Sequence, residues 1–330
     1  MFDIHAYAGF LKNARRVESS DAEECAVVIE DFLLFCKIKN GAEPRDITAK
    51  DAVSYIVEKR GPGADINKTI GILTDYTYYI KNKELVSEFV LLRDGLGVFD
   101  KTGELTKTYE PAAWERVFKS AEIPGAGSTL DEMSAFTRGI EKKMLDAMPR
   151  ERLEFIMGKN AHGWQPEWVW DEHAKLAEAG TLDKYLDMKH DEFIKELEGY
   201  RDSGEFFFTQ EMDDSVVAFA RDHLKTVRKG DKLIYKRAPY LMKEYLNAAE
   251  NKMKRYYACH CPWKRNSILQ EESPLTHSMC CCCLGHAKKP FDFAFKQEID
   301  GRVISTMMDD GCSVCTYEYT IPEEIMEAFT

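Results

Sequence analysis

The chain of 330 residues is acidic, with a formal net charge of -12, and 44% of its residues are hydrophobic and 31% charged. That length suits two domains or one large one with a substantial core, and the acidity argues against wholesale binding to nucleic acid or a membrane surface. No apolar run approaches the roughly 18 to 20 residues of a membrane span, and the opening MFDIHAYAGFLKNARR lacks the basic and apolar regions of a signal peptide, so a cytoplasmic protein with reduced cysteines is expected.

Residues 1–105 read as a helical domain. AVVIEDFLLFCKI carries apolar residues at helical spacing and stops at Asn40-Gly41. Its Cys36, like Cys25 just before it, reads as a small core residue. DITAKDAVSYIVEKR opens with Asp46 or Thr48 as a cap and ends before Gly61-Pro62-Gly63. INKTIGILTDYTYYIKNKELVSEFVLL is one or two further helices. This layout is similar to the helical core-binding domain of tyrosine recombinases, although the catalytic Arg, His and Tyr of that family do not follow downstream. A packing module and a DNA-binding module are the two readings.

Residues 106–130 are expected to be a linker, because KTYEPAAW and AEIPGAGSTLDE are rich in Gly, Pro and Thr. From residue 131 to about 200 the pattern is helical again. HGWQPEWVWDEHAKLAEAG admits His162, Asp171, Glu172 and His173 as metal ligands. It equally admits Trp164, Trp168 and Trp170 as packing residues beside a solvated acidic face. Between Lys225 and Arg265 twelve basic residues face three acids, a local basic patch for an anionic ligand or a solvated helix face.

Eight of the ten cysteines fall between Cys259 and Cys315. CHCPW sets Cys259 and Cys261 two apart, and in an extended segment both thiols point the same way. CCCC repeats this geometry if extended, with Cys280 and Cys282 on one face and Cys281 and Cys283 on the other. Two such pairs eighteen residues apart suit a tetrahedral four-thiolate zinc site of Cys259, Cys261, Cys280 and Cys282. An iron–sulfur cluster uses the same thiolates, and buried thiols without metal are the third reading. Lys254, Arg255, Lys264 and Arg265 would favour thiolates or bind an anion, and His260, His277 and His286 are spare ligands or structural. LGHAKKPFDFAF reads as a short helix whose Gly285 permits close packing. RVISTMM and SVCTYEYTI read as an antiparallel hairpin turning at Asp309 to Cys312, with Cys315, Tyr317 and Tyr319 on one face.

RYYACHCPWKRNSI, the C-x-C segment leading into GHAKKPFDF, and DGCSVCTYEYTIP together resemble a family of uncharacterised bacterial and archaeal cysteine-rich proteins. The last third is similar to the 4-vinyl reductase small-molecule-binding domain and, more distantly, to the L-2-amino-thiazoline-4-carboxylic acid hydrolase family. Cys282, Gly285, Gly311, Cys315 and Tyr317 carry that likeness, while Cys283 and Cys312 stand where a Ser and an Asp are expected. The resemblance implies an α/β ligand-binding fold with a thiol-lined pocket.

The fold expected is therefore α+β. An all-helical N-terminal domain precedes a cysteine-rich α/β ligand-binding domain, within residues 131–330, that ends in an antiparallel hairpin. The first functional expectation is a cytoplasmic zinc-binding protein for a small anionic molecule. The alternative is a cysteine-dependent hydrolase of a cyclic amide or imine, with Cys315 or Cys283 as nucleophile and a histidine such as His286 as base. A nucleic-acid-binding regulator is the third.

Overall fold

The computed structural model describes residues 3–14, 18–59, 61, 64–160, 169–270, 276–312 and 314–329. The chain forms two compact units. One comprises Met1–Leu96 with Gly125–Thr129 and Phe208–Gln210, the other Gly97–Pro124, Leu130–Phe207 and Glu211–Thr330. Helices lead and a small antiparallel sheet follows, so the fold is α+β as expected.

The first unit holds α1 (Ile4–Ala14), α2 (Ser19–Asn40), α3 (Ala49–Lys59), α4 (Ile66–Tyr79) and α5 (Lys83–Gly95). Its core is aromatic. Phe32 of α2 meets Tyr55 of α3 edge-on at 5.2 Å, and Tyr7 of α1 meets Tyr76 of α4 at 5.9 Å, a geometry that aromatic quadrupoles favour. The ends are built as the sequence implies. Gly41 closes α2 at φ 65° and returns its N–H to Lys37 O. Asp65 and Asn82 accept from Lys68 N and Leu85 N at the starts of α4 and α5. Cys36 is fully buried and Cys25 half-buried.

The second unit opens with α6 (Val98–Tyr109) and α7 (Pro111–Val117), where a linker was expected over 106–130. The sequence misleads here because its threonines are core residues. Thr102 and Thr106 are fully buried and donate to their own helix, to Val98 O and Thr102 O, at 2.8 and 2.7 Å. Gly103 lies under the Phe118 ring, where a Cβ would stand 3.2 Å from Cδ1. Then come α8 (Leu130–Ala147), α9 (Arg150–Gly158), α10 (Glu172–Ala179), α11 (Leu182–Ser203), short strands β1 (Phe206–Phe207) and β2 (Gln210–Glu211, its Gln210 counted with the first unit), and α12 (Asp214–His223).

The cysteine-bearing part follows with β3 (Val227–Lys229), β4 (Lys232–Lys236), α13 (Met242–Asn247), α14 (Asn251–Ala258), α15 (Cys281–Ala287), α16 (Lys289–Ala294), β5 (Gly301–Ser305), β6 (Thr316–Thr320) and α17 (Glu323–Phe329). The four larger strands form one antiparallel sheet in the order β3-β4-β6-β5. Tyr235 and Val303 flank Tyr317 across the ladders. Leu233, Tyr317 and Tyr319 are fully buried and pack with Leu284, Phe291 and Phe295 from the α15–α16 segment. Pro290 does not break a helix; it stands in the first turn of α16, where a missing N–H costs nothing.

The expected terminal hairpin is present as β5 and β6. Its connection is longer than the turn expected at Asp309 to Cys312, running from Thr306 to Cys315. Asp309 organises it by accepting from Thr306 N at 2.7 Å, and Gly311 takes φ 80°. Arg255 of α14 holds it from outside, donating to Met307 O (2.8 Å) and to the Asp310 carboxylate.

Candidate functional site

The run of four cysteines is helical. A 3-10 turn, His277–Cys280, passes directly into α15. Residues three apart share a helix face, whereas residues two apart do not. Cys280 and Cys283 therefore face together, and both line one pocket. Cys281 and Cys282 turn away. The Cys281 thiol points to His277 O (3.9 Å) and the Cys282 thiol donates to Asn160 O (3.5 Å). The pairing of Cys280 with Cys282 expected for an extended segment is thus replaced by Cys280 with Cys283.

Close packing fixes this helix in place. A Cβ on Gly285 would run into the carbonyl group of Gly158 in α9, with its carbonyl carbon at 2.8 Å. Ser278 donates to Glu154 Oε1 at 3.0 Å. Glu141 of α8 accepts from both Thr276 N (3.1 Å) and Thr276 Oγ1 (2.6 Å).

CHCPW enters from the end of α14. Cys261 O receives the N–H groups of Lys264 and Arg265 at 3.2 and 2.8 Å, a tight turn that presents Cys259 and Cys261 to the same pocket. Cys315 arrives from the start of β6 and is held by Arg237 N, which donates to its carbonyl at 2.9 Å. Five cysteines, 259, 261, 280, 283 and 315, thus line one cavity. Its volume is about 20 Å³, room for a water or an ion rather than an organic molecule. Met279, Met307 and Met308 complete an apolar wall. None of the ten cysteines is in a disulfide.

Burial pushes the Cys259 thiol up to about 12, helped by the thiols of Cys280 and Cys283. Burial and neighbouring thiols likewise push Cys261 and Cys315 well up. A cluster so enclosed holds several thiolates only with cations beside it. Two are present. Lys264, 2% exposed, donates to Cys280 Sγ at 3.1 Å and to Thr276 O at 2.8 Å. Arg237, just past β4, lines the cavity beside Cys315, and its Nε is enclosed with no hydrogen-bond partner. The Tyr317 hydroxyl, also enclosed, has none either.

The other basic residues named from the sequence lie elsewhere. Arg255 holds the β5–β6 connection, as described above. Arg265 stacks on Tyr256 and Tyr240, 4.3 and 5.1 Å from their ring centres. Lys254 is on α14 and does not line the pocket. Of the histidines, His260 lines the cavity, donates Nε2–H to Ala238 O (2.7 Å) and is driven neutral by burial and Arg237. His277 pairs with Asp309. His286 is on α15 and does not line the cavity. Cys312 is buried and donates to Val314 O at 3.1 Å.

The acidic Trp-rich segment is not a ligand cluster where it is described. Glu172 is buried as the ion-pair partner of Lys189 (2.6 Å), and His173 Nδ1 bonds Ala294 O (2.8 Å). Trp170 is 79% exposed and packs no core. His162, Trp164 and Trp168 lie outside the described residues. Arg237 is the site residue that the sequence reading missed. The signal was KLIYKR, whose alternation puts Leu233, Tyr235 and Arg237 on one strand face.

Among the described residues, no group of three or more His, Cys, Asp or Glu side chains stands at metal-binding separation, so the five thiols surround the cavity without closing on a point. No protein-family model, curated protein or solved structure matches this chain; the likeness to 4-vinyl reductase-type domains rests on the quoted residues alone.

Proposed function

We propose that the second unit is a thiolate centre for one divalent, thiophilic ion, zinc first, and that this is a metal-binding protein of a reducing compartment such as the cytoplasm. The observation that carries the reading is the meeting of five cysteines from separate segments on one water-sized cavity. Cys259, Cys261, Cys280 and Cys283 form the ligand set preferred here, and Cys315 stands ready as a fifth. Cys259 and Cys261, on an irregular turn, would move to close the set on an ion at sulfur distances of about 2.3 Å. The cavity size favours an ion over a cubane iron–sulfur cluster or an organic ligand.

The hydrolase reading has less support. A nucleophile needs a base within reach, and His286 does not line the cavity while His260 spends its Nε2–H on Ala238 O. Metal analysis of anaerobically purified protein tests the proposal, which expects about one zinc per chain. The double replacement of Cys259 and Cys283 by serine should abolish it. Metal-free protein with all thiols reduced would refute the proposal.

A further inference from the structure

Lysine is rarely buried without an anionic partner, because its ammonium loses its hydration. Lys264 is 2% exposed, and among the described residues its ammonium has a carbonyl and a thiol as hydrogen-bond partners and no carboxylate in an ion pair. The buried Glu141 acts on it only from beyond Thr276, whose N–H and hydroxyl it accepts. The ammonium has instead a carbonyl, Thr276 O, and a sulfur, Cys280 Sγ. A second cation, Arg237, stands in the same cavity near Cys283 and Cys315, again without an ion-pair partner among the described residues.

We infer that Lys264 is the charge-compensating donor of the metal centre: it donates N–H···S to Cys280 and, together with Arg237, matches the double negative charge of four thiolates around one divalent ion. This rests on the metal reading above. Four thiolates and a divalent ion sum to -2, which Lys264 and Arg237 offset at the cavity, while the buried Glu141 lies one residue farther out, on Thr276. Lys264 is a positioning residue and touches the metal only through Cys280.

The test uses the full chain loaded anaerobically with Co²⁺ and Zn²⁺. Affinity is read by competition with a chromophoric chelator, and the sulfur-to-cobalt charge-transfer band reports the donor at Cys280. Lys264→Met should weaken divalent binding roughly 10- to 100-fold, the usual effect of removing a partner of a ligand, and should shift the band. Lys264→Arg should restore most of the affinity. Lys254→Met, which removes the same charge outside the cavity, should change neither. Wild-type affinity and an unshifted band in Lys264→Met would overturn the inference while leaving the metal reading intact. A wild-type chain that takes no metal would remove both. Should Lys264→Met fail to fold, Lys264→Arg still decides: it retains the charge and moves the donor, so an unchanged band overturns the role.

Discussion

A single residue of spacing decides which thiols meet. An extended CCCC would pair Cys280 with Cys282, while the helical form pairs Cys280 with Cys283. The four side chains are chemically alike, so only backbone conformation separates them. Each can therefore be tested alone. Cys283→Ser should lower metal content well below that of the wild type. Cys281→Ser should leave it unchanged, because that thiol faces His277 O outside the cavity. Equal losses in both variants, measured by elemental analysis against protein concentration, would show that the helical register does not sort the thiols. The register was hidden in the sequence because cysteine has no strong preference for helix or strand, and because Thr276 supplies the cap that starts the turn, accepting from Ser278 N.

At the scale of elements, the seat of α15 against α9 sets the position of two site thiols. Gly285→Ala would drive a methyl into the Gly158 carbonyl, which is backbone and cannot rotate away. A cost of about 1 to 3 kcal/mol or more is expected, seen as a lower denaturation midpoint together with weakened metal binding. An unaltered midpoint would mean that the two helices are free to part. A second element contact has a pH signature. Burial opposes the charge of Glu298, but hydrogen bonds from Lys159 and Lys288 prevail and hold its carboxyl at about 2. A lowered carboxyl stabilises the fold fully above its ordinary value near 4.5 and loses that contribution as pH falls toward 2. Glu298→Gln should flatten the stability profile between those limits and leave the profile above pH 6 parallel to that of the wild type. Gly285 and the terminal strands were legible, because a glycine before a packed helix and β-branched runs beside Asp-Asp-Gly have direct geometric meaning. The helix running past residue 105 was not, because Thr102, Gly103 and Thr106 join Val98 and Phe99 on the buried face of α6 and the threonines bond back to their own helix.

The whole molecule divides into a unit held by aromatic packing and a unit whose centre is a thiol cavity. The tyrosines, phenylalanines and aliphatic residues of the first bury a conventional core. The second encloses thiols and two cations around one cavity, where the proposed ion would bind. Chelation should therefore act on one unit. Amide exchange is expected to quicken in α14, α15 and the β5–β6 connection and to stay slow in α2 to α4, since binding to the folded state alone stabilises it by mass action. Uniform acceleration through both units would contradict that division. The central claim, one divalent ion held by four cavity thiols, is tested most directly by X-ray absorption at the zinc edge on the anaerobically purified full chain. The account predicts about one zinc per chain with four sulfur neighbours at about 2.3 Å; a shell of nitrogen and oxygen, or a chain with reduced thiols and no metal, would contradict it.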